Sequence, residues 1–134
     1  VRRQMQEKEQ AYSVFLRTES DGETDRIFAR AEKKEKGFVF QKDGTNFCIS
    51  YCRQTPYLRI ESSGDMTYAL ELRPNTETKT TIYTSFGEMA VVARTQDLVF
   101  GEKHGGDGVD CEYTLDFSGF VQRHKFSFAV KKIF

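Results

Sequence analysis

Alternation with a period of two runs through most of this chain. Met66, Tyr68, Leu70 and Leu72 are interleaved with Asp65, Thr67, Ala69, Glu71 and Arg73, and Val109, Cys111, Tyr113, Leu115 and Phe117 repeat the pattern. In an extended chain every second side chain points to the same face, so each such stretch predicts a strand with one buried face. Tyr12, Val14 and Leu16, then Phe47, Ile49 and Tyr51, and finally Phe126, Phe128 and Val130 behave alike. Turn chemistry separates these stretches: Ser20-Asp21-Gly22-Glu23, Asp43-Gly44, Ser63-Gly64, Pro74-Asn75, Phe86-Gly87 and Ser118-Gly119. Asp43-Gly44 lies between two apolar runs, which predicts a tight hairpin there. No amphipathic helix of about ten residues or more is legible.

The chain of 134 residues suits one domain. Its 12 Phe and 6 Tyr supply enough bulky rings to fill the core of a sheet protein. The pattern predicts an all-β fold, a barrel or sandwich, with a single antiparallel barrel of about 8 to 10 strands over residues 11–134 favoured because closing the sheet removes its exposed edges. Residues 1–10 are polar and predict an arm, helical or disordered. The threonine-rich run from Thr76 to Ser85 favours extended backbone with little to bury, as in an edge strand. Met89 to Ala93 and Leu98 to Phe100 read as separate apolar segments, His104 to Gly108 as a flexible glycine-dense loop, and Glu32 to Gly37 as a solvated bend.

Twenty Lys and Arg balance twenty Asp and Glu, so no global field would steer the protein toward nucleic acid or an anionic membrane. No run approaches the roughly 18 apolar residues of a membrane span, and Val1-Arg2-Arg3-Gln4-Met5-Gln6 lacks the apolar stretch of a signal peptide, which together point to the cytoplasm. Cys48, Cys52 and Cys111 form neither an even disulfide set nor a zinc pattern, and a strand rise of about 3.3 Å per residue holds Cys48 and Cys52 roughly 13 Å apart. Reduced thiols are expected.

No catalytic constellation is legible, and the expectation is a non-enzymatic protein without cofactor or metal. Gly105-Gly106-Asp107-Gly108 lacks the Gly-Lys-Ser/Thr of a phosphate loop and precedes a strand. Basic and aromatic residues interleave from Phe120 to Phe134, but Phe126 and Phe128 alternate with Lys125 and Ser127, so rings and cations fall on opposite faces and nucleic-acid binding is disfavoured. The barrel interior is the natural place for a ligand. Tyr51 shares parity with Ile49, Tyr68 with Leu70, Tyr113 with Cys111, and His124 with Phe126, so these four are the candidate ligand-binding residues. For each, plain core packing with the polar atom at the rim is the competing reading.

Three segments carry a resemblance when read together: Asn46-Phe47-Cys48-Ile49-Ser50-Tyr51, Thr81-Ile82-Tyr83-Thr84-Ser85-Phe86-Gly87-Glu88-Met89, and Cys111-Glu112-Tyr113-Thr114-Leu115. They resemble an uncharacterised bacterial family of small proteins typified by YwiB, a domain of unknown function described as a calycin-like or lipocalin-like barrel. The resemblance spans about residues 10 to 132. It implies a fold and brings no catalytic residue with it. Ser85 stands where that family usually has proline, and Cys52-Arg53 where it usually has acidic residues, so no role of an acidic pair carries over.

Two functions remain open from sequence. One is a carrier of a small apolar or amphipathic ligand inside the barrel. The other is a filled barrel that acts through its outer surface on protein or nucleic acid. Interior volume separates them, since a ligand site needs a cavity of about 300 Å³ or more.

Overall fold

The computed structural model describes residues 11–133; the predicted arm over residues 1–10 lies outside them. Ten antiparallel strands follow one another: β1 (Ala11–Ser20), β2 (Glu23–Lys34), β3 (Gly37–Lys42), β4 (Thr45–Cys52), β5 (Tyr57–Ser63), β6 (Tyr68–Leu72), β7 (Glu77–Thr84), β8 (Gly87–Lys103), β9 (Gly106–Phe117) and β10 (Phe120–Lys132). They lie in the order β6-β5-β4-β3-β2-β1-β10-β9-β8-β7, an up-and-down sheet that curls into a nearly closed barrel. No helix among the described residues is long and apolar enough to cross a membrane.

Four hairpins are closed by two-residue loops with both residues at positive φ: Asp21-Gly22, Asp43-Gly44, His104-Gly105 and Ser118-Gly119. That backbone matches the right-handed twist of the flanking strands, which is why Asp-Gly and its relatives stand there. The strand parity predicted from sequence holds across the sheet. Inward rows stack Leu58, Ile60, Leu70 and Leu72 on Ile49, Phe38 and Phe40, and Val14 and Leu16 on Phe126, Phe128 and Val130. Phe128 is completely buried, and each such side chain contributes roughly 1.5–3 kcal/mol of apolar burial.

Some details differ from the sequence pattern. Met89–Ala93 and Leu98–Phe100 belong to one strand, β8, with a bulge between Thr95 and Asp97. The extra residue, Gln96, switches the inward positions from odd (Val91, Ala93, Thr95) to even (Leu98, Phe100), so the two segments look unrelated in sequence yet face one core. The glycine-dense loop is also corrected. Only His104 and Gly105 form the turn, while Gly106 and Gly108 lie in β9, where a Cβ on Gly106 would overlap the Val130 carbonyl oxygen. Met66 sits in the β5–β6 turn, ahead of the strand that begins at Tyr68, and is exposed.

The barrel wall is weakest in two places. β3 pairs only with Glu32–Lys34 of β2, which leaves Glu23–Ala31 paired on one side alone, an edge carrying Glu23, Asp25, Arg26 and Arg30 that discourages stray strand pairing. Between β6 and β7 there is no ladder. A single bridge joins Thr67 to Tyr83, and the Thr78 and Thr80 hydroxyls donate to the carbonyls of Glu71 at 2.9 Å and Ala69 at 2.7 Å. The threonine-rich strand is thus a sheet edge, as its composition predicts, and its hydroxyls supply the bonds that backbone amides make elsewhere.

Because the strands alternate in direction, the β1–β2, β3–β4, β5–β6, β7–β8 and β9–β10 turns share one end, called here the Phe86 end. The other turns share the Tyr51 end.

Candidate functional site

All four predicted residues face inward, but the barrel gathers only Tyr68, Tyr113 and His124 toward one end and leaves Tyr51 apart. Tyr51 sits at its own end, its ring among Phe38, Phe100 and Phe128 with centroids 6.1–6.3 Å away. Its hydroxyl donates to Asp107 Oδ2 at 2.9 Å, and Arg53 Nη2 donates to Asp107 Oδ1 at 2.6 Å while the guanidinium lies over the Phe100 ring. Burial, then the Asp107 hydrogen bond and charge, push the Tyr51 pKa well above the ordinary tyrosine value. The cluster fastens the β4–β5 turn to the start of β9, and the phenol stays protonated there.

Tyr68, Tyr113 and His124 lie toward the Phe86 end. Tyr68 stands opposite Ser62 on β5, whose hydroxyl lies beside the phenol and donates to the Met66 carbonyl at 3.3 Å. Tyr113 is buried and stacks face to face on His124, with centroids 5.1 Å apart and planes 8° from parallel. His124 Nε2 lies 3.1 Å from Gln122 Oε1, so the Nε2-protonated tautomer donates there. Burial raises both tyrosines and lowers His124, the last opposed by the Asp21 carboxylate. Tyr51 and His124 therefore have hydrogen-bond partners at Asp107 and Gln122, Tyr68 lies beside Ser62, and Tyr113 packs in the core. Around them the inward rows are occupied by Phe38, Phe40, Ile49, Leu58, Phe126 and Phe128, all buried.

Open space lies on the outer wall instead. A trough of about 580 Å³ crosses β3 to β7; most of its lining, including Val39, Cys48, Arg59, Glu61, Thr81 and Tyr83, comes from outward positions, and the inward-facing Phe47, Ser62, Tyr68 and Thr80 also border it. Arg59 Nε donates to Glu61 Oε2 at 2.8 Å and its Nη1 to Glu71 Oε2 at 3.3 Å, so the floor carries a neutralised ionic strip. Burial and the Glu61 charge raise the Cys48 pKa, which leaves the thiol a poor nucleophile. A second hollow of about 360 Å³ takes in Tyr113 and His124, but Glu19, Glu112, Thr114, Arg123 and Lys125 make it a charged outer recess.

Among the described residues no three His, Cys, Asp or Glu side chains approach as a metal cluster, and the three cysteines are free thiols. Of the trough's lining, sequence reasoning named only Tyr68 as a ligand-binding candidate. The trough's outward residues resemble any solvated strand face, and it reaches across the β6–β7 junction, where one backbone bridge and two threonine hydroxyls replace a strand ladder.

No family model matches the chain, and no curated protein matches it. Its fold is similar to the crystal structure of YwiB protein from Bacillus subtilis, with a TM-score of 0.50, 15% sequence identity and 90% of each chain covered. That likeness establishes the shared barrel fold.

Proposed function

We propose that this protein is a binding module that works through its outer wall on another protein, with the barrel interior as its scaffold. The carrying observation is the contrast between a core occupied by buried Phe, Leu, Ile and Val side chains and an outer trough of about 580 Å³. A carrier of an apolar guest needs an interior cavity of about 300 Å³ or more with polar handles free to orient the guest. Two of the handles expected here, Tyr51 and His124, are engaged by Asp107 and Gln122, and a third, Tyr68, borders the trough itself. The three free thiols support a reducing, cytoplasmic setting.

Native mass spectrometry of protein purified from its own host tests the reading. A co-purifying polypeptide that is lost when Ala69 in the trough is replaced by Trp is the expected result. A small molecule retained by the wild type, and displaced by substitutions at inward positions, would overturn it.

A further inference from the structure

Nine large apolar side chains are exposed among the described residues, and six of them, Met66, Tyr83, Phe86, Met89, Phe120 and Val121, belong to the β5–β6, β7–β8 and β9–β10 hairpins at the Phe86 end. The exposure of Met89 and Phe120 is a consequence of register, whereas Tyr83 and Val121 point to the outer face. The inward row of β7 and β8 runs from buried Val91 and Ile82 to Met89, and that of β9 and β10 from buried Leu115 to Phe117 and Phe120, so the core continues past the rim without cover from the described residues. Phe86, at the β7–β8 tip, is 99% exposed. The mutual backbone hydrogen bonds of Thr67 and Tyr83, 2.9 Å each, tie the β5–β6 turn to β7 and make the lip continuous with the outer trough, which Tyr83 also lines.

The five turns at this end are acidic. Residues 20–23, 42–45, 63–67, 84–88 and 117–121 carry Asp21, Glu23, Asp43, Asp65 and Glu88 against the single cation Lys42, and no ion pair engages these carboxylates among the described residues. Arg123 stands two positions beyond. A chain of zero net charge therefore presents an apolar lip flanked by carboxylates that pair with no cation among the described residues.

We infer that this lip docks a basic amphipathic segment of another protein, its apolar side chains packing on Phe86, Met89 and Phe120 and its Lys or Arg residues facing Asp65 and Glu88. Charge decides among the possible occupants. A second copy meeting across a two-fold axis would bring the same carboxylates face to face. A bilayer with anionic lipids would be repelled by them. A basic segment complements both the charge and the apolar surface, and methionine at positions 66 and 89 adapts to different partners. The inference rests on the outer-wall reading and locates its surface.

Fluorescence anisotropy with a labelled amphipathic Leu/Lys peptide tests it, with a Leu/Glu peptide and vesicles of anionic and zwitterionic lipid as the other arms. The wild type should bind the Leu/Lys peptide and none of the others, and binding should weaken as salt rises. Phe86→Ser and Phe120→Ser together should weaken it at least about tenfold, equivalent to about 1.4 kcal/mol, with the melting temperature unchanged because both rings are exposed. Asp65→Asn with Glu88→Gln should weaken it and flatten its salt dependence. Equal binding of the Leu/Glu peptide, binding to anionic vesicles, self-association in sedimentation that the Phe86 and Phe120 changes abolish, or peptide binding that ignores the lip changes would each overturn the inference. A co-purifying polypeptide that survives Phe86→Ser with Phe120→Ser but not Ala69→Trp would overturn the lip while leaving the outer-wall reading standing.

Discussion

The Thr80 hydroxyl donates to the Ala69 carbonyl at 2.7 Å, and with the matching bond from Thr78 to Glu71 it holds the two ends of a ten-stranded sheet together. A side chain here does what a strand ladder does at the other nine joints.

Thr80→Val keeps the shape and β propensity of the side chain but removes the donor. It leaves the Ala69 carbonyl without this partner, so a cost of about 1 to 2 kcal/mol is expected in urea unfolding. Amide exchange in β6 and β7 should accelerate in the native state while β9 and β10 stay protected. Uniform exchange across all strands would show that the seam bears no special role.

Tyr68 distinguishes a filled barrel from a hollow one. Tyr68→Phe removes only the hydroxyl beside Ser62 and should cost no more than about 1.5 kcal/mol, whereas Tyr68→Ala should cost about 3 to 5 kcal/mol by opening a cavity. A thermal-shift panel of fatty acids, isoprenoids and flavins should leave the wild type unmoved. Specific stabilisation by one of them, lost in Tyr68→Phe, would restore the interior ligand site.

The thiols should separate by accessibility. Cys52 and Cys48 are partly exposed and should react with a thiol reagent in the folded protein, Cys48 the more slowly because its pKa is raised, and Cys111 only after unfolding. Burial, then the charges of Asp97 and Glu112, push Cys111 up to about 12 from its ordinary 9.0. Its contribution is therefore fully present below pH 9 and is lost as the pH rises toward 12, since only the unfolded chain releases the proton in that window. Stability should fall by up to about 1.4 kcal/mol per pH unit there, and Cys111→Ala should flatten the fall. On the acid side His124 is lowered, so its contribution is present above the ordinary 6.5 and declines as the pH falls below it; His124→Gln should remove that component of the profile.

Gly106 owes its place to a close approach. With the Val130 carbonyl oxygen where a Cβ would stand, Gly106→Ala forces β9 away from β10 and should cost about 1 to 3 kcal/mol. Gly119→Ala, at φ +102 with open space around it, should lose stability through backbone strain alone. If both alanine variants melt like the wild type, these glycines are incidental.

The sequence by itself determined the strands, their parity and the hairpins, because alternation and two-residue turns are local properties of a few consecutive residues. Tyr51, Tyr68, Tyr113 and His124 could be aimed inward on that basis alone, as could the opposite faces of Phe126 and Lys125. The tertiary structure decided whatever depends on which strands meet. Gln96 became a bulge only because β8 must face the core on both sides of it. Asp107 met Tyr51 and Arg53 across 56 and 54 residues of chain, a partnership no local pattern encodes. The seam of threonine hydroxyls, the outer trough and the apolar lip at the Phe86 end likewise exist only where β6 meets β7 and where the inward rows run past the rim. Side-chain direction is set residue by residue, whereas closure, and the surface it leaves uncovered, is set by the curvature of the whole sheet.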